Sequence, residues 1–297
     1  MYLESALKND RLCKSLVGLS VEEFKRLSLD FDWNYTESRI KEKPERMRVY
    51  GGGRTGKLLT KEHKLFFILL YLKIYPTFDV LGWLSGLDRT RAKRWQSILL
   101  PILEQTLKRK LVLPERKIRS VEVLLQRFPD LKDIILDGTE REVQRPKNKK
   151  RQNKLYSGKK KSQTRKNIIG ASPDKKIIIL TKTKSGRRHD KRLSDKENLA
   201  REIPEEIAVW VDTGFQGMDK DRKNILIPKK RTKRQELTPE DKEENRIISS
   251  IRVTGEHAIA GIKRFNCLVH TYRNKSKNLD DKFILIASGL WNYHLGM

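Results

Sequence analysis

Apolar positions recur along the chain in two rhythms, and the change between them falls near residue 116. Before it the spacing is helical. In GLSVEEF, Ser20 and Glu23 have the spacing of a capping box, and Val21, Phe24 and Leu27 supply an apolar stripe. Residues 60–107 form the most regular helical block. Thr60 is placed to cap a helix through LFFILLYLKI that Pro76 ends, and a shorter helix through FDVLGWL reaches a turn at Gly86. A third helix is predicted in DRTRAKRWQSILLPIL, with Ala92, Trp95, Leu99 and Ile102 on one face and Pro101 expected to kink or end it.

Beyond about 116 the pattern becomes short apolar runs between polar segments. Ile134 to Asp137, Asn167 to Ala171, Ile177 to Thr181 and Val209 to Asp212 read as strands, with a further short one at Ile225 to Ile227. The second and third are close enough for a hairpin, and a helix near 190–201 precedes the fourth. Strands that first meander and then alternate with helices predict an α/β sheet with mixed pairing. Segment 240–265 supplies a helix for its face, and DDKFILIASGLWNYH is apolar enough to be a mostly buried last helix. The expected organisation is an all-α domain over 1–115 and an α/β domain over 116–297, two domains for 297 residues.

Charge narrows the partner. Lys and Arg number 66 against 38 Asp and Glu, a net of +28, with a pI near 10.1, the footprint of a protein that meets a polyanion. Nucleic acid is the default. A membrane is disfavoured because the longest apolar run, LFFILLYL at 65–72, falls far short of the roughly 20 residues that span a bilayer. MYLESALKND is too mixed and charged for a secretory signal. Cys13 and Cys267 stand alone, with no metal-ligand spacing, so neither a disulfide framework nor a structural zinc site is indicated and a cytoplasmic location is expected.

The positive charge is clustered. Arg89, Arg91, Lys93 and Arg94 crowd the start of the third helix, either as a solvated face or as a recognition helix of a helix-turn-helix, whose early residues meet the major groove. YGGGRTGK at 50–57 is either a flexible linker or an arm that brings Arg54 and Lys57 to the minor groove, and it does not complete the GxxxxGK[ST] pattern of a nucleotide loop. From Arg141 to Asn167 twelve basic residues face one acid, Glu142. So basic a run is either a disordered loop or a surface that orders against phosphates, and the aromatic interleaved in YSGKKK favours the surface, with Lys159, Lys160, Lys161, Arg165 and Lys166 as contacts. KKRTKR at 229–234 is a second cluster.

Three acids stand out against this background. Asp137 ends the apolar run of IILDGTE, Asp212 ends that of AVWVDTGFQG, and Glu256 lies in the amphipathic RVTGEHAIAGIKRF. Half-buried carboxylates are costly unless a metal or another partner compensates them. Two strand ends and a crossing helix can gather three such groups to hold two divalent cations about 3.5–4 Å apart, the arrangement for in-line phosphoryl chemistry. Gly255 costs a helix interior about 1 kcal/mol relative to Ala, so it marks a helix start or a close backbone approach to DNA or the sheet. Thr139 and Glu140 are placed to shape the site without being ligands. His189, Asp190 and His257 read either as supporting or DNA-contacting groups or as ordinary surface side chains.

Taken in order, LLYLKIYPTFDVLGWLSGLDRTRAKRW, LDGTER, YSGKKK, GRRHD, VDTGFQG, LTPEDKEENRIIS and RVTGEHAIAGIKRF resemble a bacterial insertion-sequence DDE transposase, of the insertion-sequence-five branch that is similar to the eukaryotic Harbinger transposases. The resemblance covers roughly residue 50 to the C-terminus. It implies a helix-turn-helix joined to an RNase-H-like nuclease, with catalytic and metal-ligating roles falling on Asp137, Asp212 and Glu256. It also implies two Mg²⁺ (or Mn²⁺) ions, one activating water or a DNA 3′-hydroxyl and the other stabilising the leaving oxygen. The implied partners are the element's terminal inverted repeats and target DNA, with Lys263 among the contacts, in a nucleoid-associated homodimer or higher oligomer. The expected function is cleavage of the element's ends and their joining to target DNA. The alternatives are a transposase-derived DNA-binding protein without catalysis and a metal-dependent endonuclease without strand joining.

Overall fold

The computed structural model describes residues 3–42, 56–117, 121–220, 222–231 and 236–296. Arg54 and most of YGGGRTGK lie outside the described residues, as does the end of KKRTKR. The chain divides into two compact units, one of Met1–Leu113 with Arg264–His270 and Gly296–Met297, the other of Pro114–Lys263 with Thr271–Leu295.

The first unit is helical: α1 Leu3–Ala6, α2 Asp10–Val17, α3 Val21–Glu42, α4 Lys61–Ile74, α5 Phe78–Ser85 and α6 Arg89–Arg109. Local chemistry sets the starts. The Ser20 hydroxyl accepts from Glu23 N (3.1 Å) and the Glu23 carboxylate accepts from Ser20 N (2.6 Å), the reciprocal capping box. Thr60, Thr77 and Asp88 cap α4, α5 and α6 through side-chain oxygens. Residues 64–72 of α4 are all buried, so this helix is the centre against which α2, α3 and α6 pack. Lys64 is buried with them. Its ammonium donates to the Leu58 and Thr60 carbonyls (3.0 and 3.2 Å) and lies over the Tyr35 ring, and burial holds its pKa below the usual lysine range.

Of the two outcomes expected of Pro101, a kink or an end, the end does not occur, since α6 runs on to Arg109. Proline costs a helix interior about 3 kcal/mol. Pro101 faces solvent while Leu99, Leu100, Ile102 and Leu103 around it are buried. At about 1.5–3 kcal/mol per buried aliphatic side chain, that packing outweighs the proline. Trp95, placed on the buried face by its spacing, is only partly buried, and Gln96 takes the inner position.

Three residues, Gly86 to Asp88, join α5 to α6, and Gly86 adopts φ 65°, open to glycine at little cost. A methyl group at Gly82 would sit 2.6 Å from the Leu87 carbonyl oxygen. Gly82→Ala is therefore expected to destabilise the protein by about 1–3 kcal/mol through overpacking. Denaturant unfolding measures it, and an unchanged midpoint would mean that the turn has room.

The second unit is an α/β fold. Its elements are α7 Val121–Arg127, β1 Asp133–Glu142, α8 Lys149–Leu155, β2 Tyr156–Ser157, β3 Ser162–Ala171, β4 Ile177–Leu180, β5 Lys184–Ser185, α9 Asp190–Lys196, α10 Leu199–Glu202, β6 Ala208–Val211, β7 Ile225–Leu226, α11 Pro239–Ile262 and α12 Leu279–His294. The sheet runs β2-β3-β1-β6-β7, with β4 and β5 also paired to β3. β3 is antiparallel to β1 and to β4, whereas β6 is parallel to β1 and β7 parallel to β6. Pairing is mixed, as the meander-then-alternate pattern predicts.

Helices flank both faces. On one, Ile134, Leu136, Ile168, Val209 and Val211 form a core with Leu124 of α7, Leu193 of α9 and Leu199 of α10. On the other, a methyl group at Gly255 of α11 would lie 2.6 Å from Ile135, so this glycine marks a close approach of helix to sheet. α12 is fastened to β4 by buried Asn292, which accepts from Ile177 N and donates to Ile177 O (2.8 Å each). Among the described residues no helix is long and apolar enough to cross a membrane.

Asp281, in the first turn of α12, accepts from Thr183 N and Thr183 Oγ1 (2.7 Å each) and pairs with Arg116 (2.5 Å). Burial alone would raise its pKa, but Arg116 and the Thr183 bonds overcome this and hold it below the usual value. A depressed folded-state pKa gives stability that is present above the unfolded value, near 3.9, and is lost as pH falls through the folded value. Asp281→Asn is accordingly expected to lower the melting temperature at pH 7 and to narrow its gap from wild type under acid. A gap that persists at low pH would trace the loss to packing instead of charge.

Candidate active site

Asp137 and Asp212 meet because their strands are parallel neighbours in register. Ile135 pairs with Trp210 and Leu136 with Val211, so the next step of the ladder sets Asp137, midway along β1, beside Asp212, just past the carboxyl end of β6. Each carboxylate is steadied by backbone. Asp137 Oδ1 accepts from Gly138 N (2.7 Å), and Asp212 Oδ1 accepts from Gly214 N (2.8 Å) at the start of a 3₁₀ turn. Asp137 has its pKa pushed up to about 6, by burial first and then by the negative charges of Asp212 and Asp190, against the opposing Gly138 amide and Arg252.

Asp190 opens α9 and is wedged between Gly138 and Gly214. A methyl group at Gly138 would lie 2.5 Å from Asp190 Oδ1, and one at Gly214 would lie 3.2 Å from Asp190 Oδ2. Lys166 of β3 holds it, with its ammonium 3.1 Å from Asp190 and 3.0 Å from Glu140 of β1. Glu140 also accepts from the Thr164 hydroxyl (2.7 Å). Burial opposes the charge on Lys166, but the two carboxylates prevail and raise its pKa. For Glu140, burial is outweighed by Thr164, Ser157 and Lys166, and its pKa falls.

The basic run from Arg141 to Asn167 is neither a loop nor wholly a surface. It contains the end of β1, all of α8 and β2, and the start of β3, which begins at Ser162 and pairs as far as Thr164 with Glu142. Arg141 and Lys166 are buried, and Arg165 pairs with Asp280 (2.8 Å), so Lys166 and Arg165, expected at phosphates, are engaged within the protein. Inward residues 164, 166 and 168 alternate in step, and that phase was the available signal for a buried lysine. Lys159, Lys160 and Lys161 stay exposed in the turn between β2 and β3. In the first unit, Arg89, Arg91, Lys93 and Arg94 are exposed at the start of α6, with Arg89 and Arg91 near Asp79 and Asp88.

Glu256 follows Gly255 on α11 and is exposed, as is His257. Among the described residues no three His, Cys, Asp or Glu side chains stand close enough to share a metal ion. The structure thus joins Asp137 with Asp212 and leaves Glu256 apart from them. Like charges repel, and Asp137, with Asp212 and Asp190 beside it, is already disfavoured as an anion, so a further carboxylate is stable there only when a cation offsets it. The donor chemistry fits a divalent cation: two adjacent oxygen-ligand side chains, half-buried, with the pKa of Asp137 raised in the way a cation would reverse. Lys263, ending α11, has its pKa lowered by burial and by nearby Lys160 and Arg141, and Asp137 opposes this. Lys263 therefore brings a positive charge toward Asp137.

A mixed sheet with helices on both faces and paired acids on adjacent parallel strands fits an α/β nuclease domain. The chain belongs to the DDE superfamily of endonucleases, whose family pattern matches residues 136–292. It is 30% identical over 282 residues to the probable transposase for insertion sequence element IS702 of Microchaete diplosiphon, covering 94% of this chain and 96% of that protein. It is thus a member of the insertion-sequence DDE transposases, a family of DNA-cleaving enzymes that depends on divalent metal. No solved structure matches it significantly.

Proposed function

We propose that the protein cuts the ends of an insertion sequence and joins them to target DNA, with Asp137, Asp212 and Glu256 as the metal-holding residues. The observation that supports this reading is the register of β1 and β6, which puts Asp137 and Asp212 side by side on neighbouring parallel strands of the mixed sheet. Bound Mg²⁺ or Mn²⁺ would supply Lewis-acid activation of the attacking oxygen and stabilisation of the leaving one. Glu256 completes the set when DNA and metal offset the charge, carried by a helix whose Gly255 already rests on Ile135 of β1.

The same reading makes α5 and α6 a helix-turn-helix. It is supported by the short glycine turn, by the closeness of Gly82 to Leu87, and by the exposed Arg89, Arg91, Lys93 and Arg94 where a recognition helix presents its first residues. The same reading assigns Lys159, Lys160 and Lys161, exposed in the turn between β2 and β3, to DNA phosphates. Replacing them with neutral residues is expected to flatten the log-log salt dependence of duplex binding by about 0.9 for each phosphate that no longer meets a cation, and coincident slopes would place the DNA elsewhere.

The experiment that tests the function offers the purified protein DNA carrying the element's own ends, together with target DNA and Mg²⁺. Released ends followed by joined product are expected. Bound but intact DNA would mean a DNA-binding protein, and cleavage without joining would mean an endonuclease.

A further inference from the structure

We infer that the recess beside Asp212 receives unpaired nucleotides of a DNA strand, with Tyr156 as the surface on which a base stacks; this rests on the DNA-cleaving reading above. The recess has a volume of about 940 Å³, and its lining includes Tyr156, Lys159, Arg187, Arg188, Asp212 and Gly214. That size is near the upper end of ordinary ligand pockets, about 300–1,000 Å³.

Tyr156 lies on β2, where alternation turns Ser157 inward and leaves Tyr156 41% exposed. An exposed aromatic wall gains little from water, and among the described residues the Tyr156 side chain has no hydrogen bond or ring contact. Lys159, Arg187 and Arg188 share its recess and, among the described residues, have no acidic partner. Lys166, on the same wall, is already held by Glu140 and Asp190. The free charges are thus the ones that open into the recess.

An aromatic platform among free cations binds single strands in a recognisable way: cations follow the phosphates, and each base offers a face to the ring. In a duplex those faces are already stacked on one another, so the ring gains only from a base outside the stack. Unpaired ends bring such bases without the cost of extrusion. Because Asp212 belongs to the same lining, a strand held there lies with its phosphates beside the candidate cleavage residues. The recess therefore selects frayed or newly cut ends over intact duplex.

The test measures fluorescence anisotropy of the full-length protein in EDTA, with a blunt duplex and with the same duplex carrying a short single-stranded DNA extension. Wild type is expected to prefer the extended DNA. Tyr156→Ala should reduce that preference on the order of tenfold, Tyr156→Phe should keep it, and Tyr156→Trp should keep or strengthen it. Arg187→Ala with Arg188→Ala should weaken binding of both DNAs. Equal wild-type affinity for the two DNAs, or a preference that survives Tyr156→Ala, would overturn the inference. Tighter binding of an RNA extension than of a DNA one would overturn the assignment to DNA. If Tyr156→Ala misfolds by circular dichroism, loss of the preference in a folded Tyr156→Phe would count against stacking. Cleavage by Asp212→Asn is scored separately: retained cleavage sinks the active-site reading alone, whereas absent preference beside an inactive Asp212→Asn sinks the groove alone.

Discussion

Asp137→Asn and Asp212→Asn are each expected to bind DNA as wild type does and to cleave it at least about 10³-fold more slowly. Loss of a single preorganised electrostatic group typically costs 10²–10³, and a metal-holding carboxylate removes more than one such interaction. Affinity resides elsewhere, in a chain with a net charge of +28, so binding should persist. The substitution keeps the shape of the side chain and removes its charge. Asp137 is charged at a cost, since burial and the nearby Asp212 and Asp190 push its pKa up to about 6. Relief of that repulsion should leave the melting temperature of the metal-free Asn variants unchanged or higher, a trade of stability for activity. Glu256→Gln is expected to lose cleavage as well, although its side chain is exposed. Wild-type cleavage rates in any purified single variant would remove that residue from the site.

Lys166→Met is expected to lower stability by about 3–5 kcal/mol, the scale of breaking a buried ion pair by removing one partner. The Lys166 and Glu140 side chains are only 6% and 5% exposed, and Asp190 has its other neighbours at Gly138 and Gly214. Methionine fills the space of the lysine stem but leaves two carboxylates without their cation. For a unit of this size each kcal/mol is worth about 2–4 °C of melting temperature. Glu140→Gln on the Lys166→Met background should recover part of the loss, because one stranded charge is removed. A near-neutral Lys166→Met would show that the triad contributes little and that Asp190 is held by packing.

Most of this architecture was legible where the signal was local. Ser20 with Glu23, Thr60 and Gly86 act at the helix ends where their spacing put them, because capping depends on residues within one turn. Apolar runs located β1, β3, β4, β6 and β7 to within a few residues at their hydrophobic parts. The polar half of β1 and the start of β3 were missed, since Glu140, Thr164 and Lys166 compensate one another across strands, which a linear pattern does not record. Pro101 does not end its helix because propensity is local and the core that overrides it is not. In the site, both aspartates were visible as charges ending apolar runs. The wedge formed by Asp190, and the need for glycine at 138 and 214, came only from the folded chain.

The most direct test of the central claim, that Asp137 in β1 and Asp212 at the end of β6 hold the catalytic metal against DNA, replaces Mg²⁺ with Fe²⁺ in the protein–DNA complex. Ascorbate and peroxide then generate radicals that break the backbone next to the bound ion, and the fragments are mapped by mass spectrometry. The account predicts breaks close to residues 137, 212 and 256, suppressed by excess Mg²⁺ and lost in Asp212→Asn. Breaks confined to other segments, or the same pattern in Asp212→Asn, would contradict it.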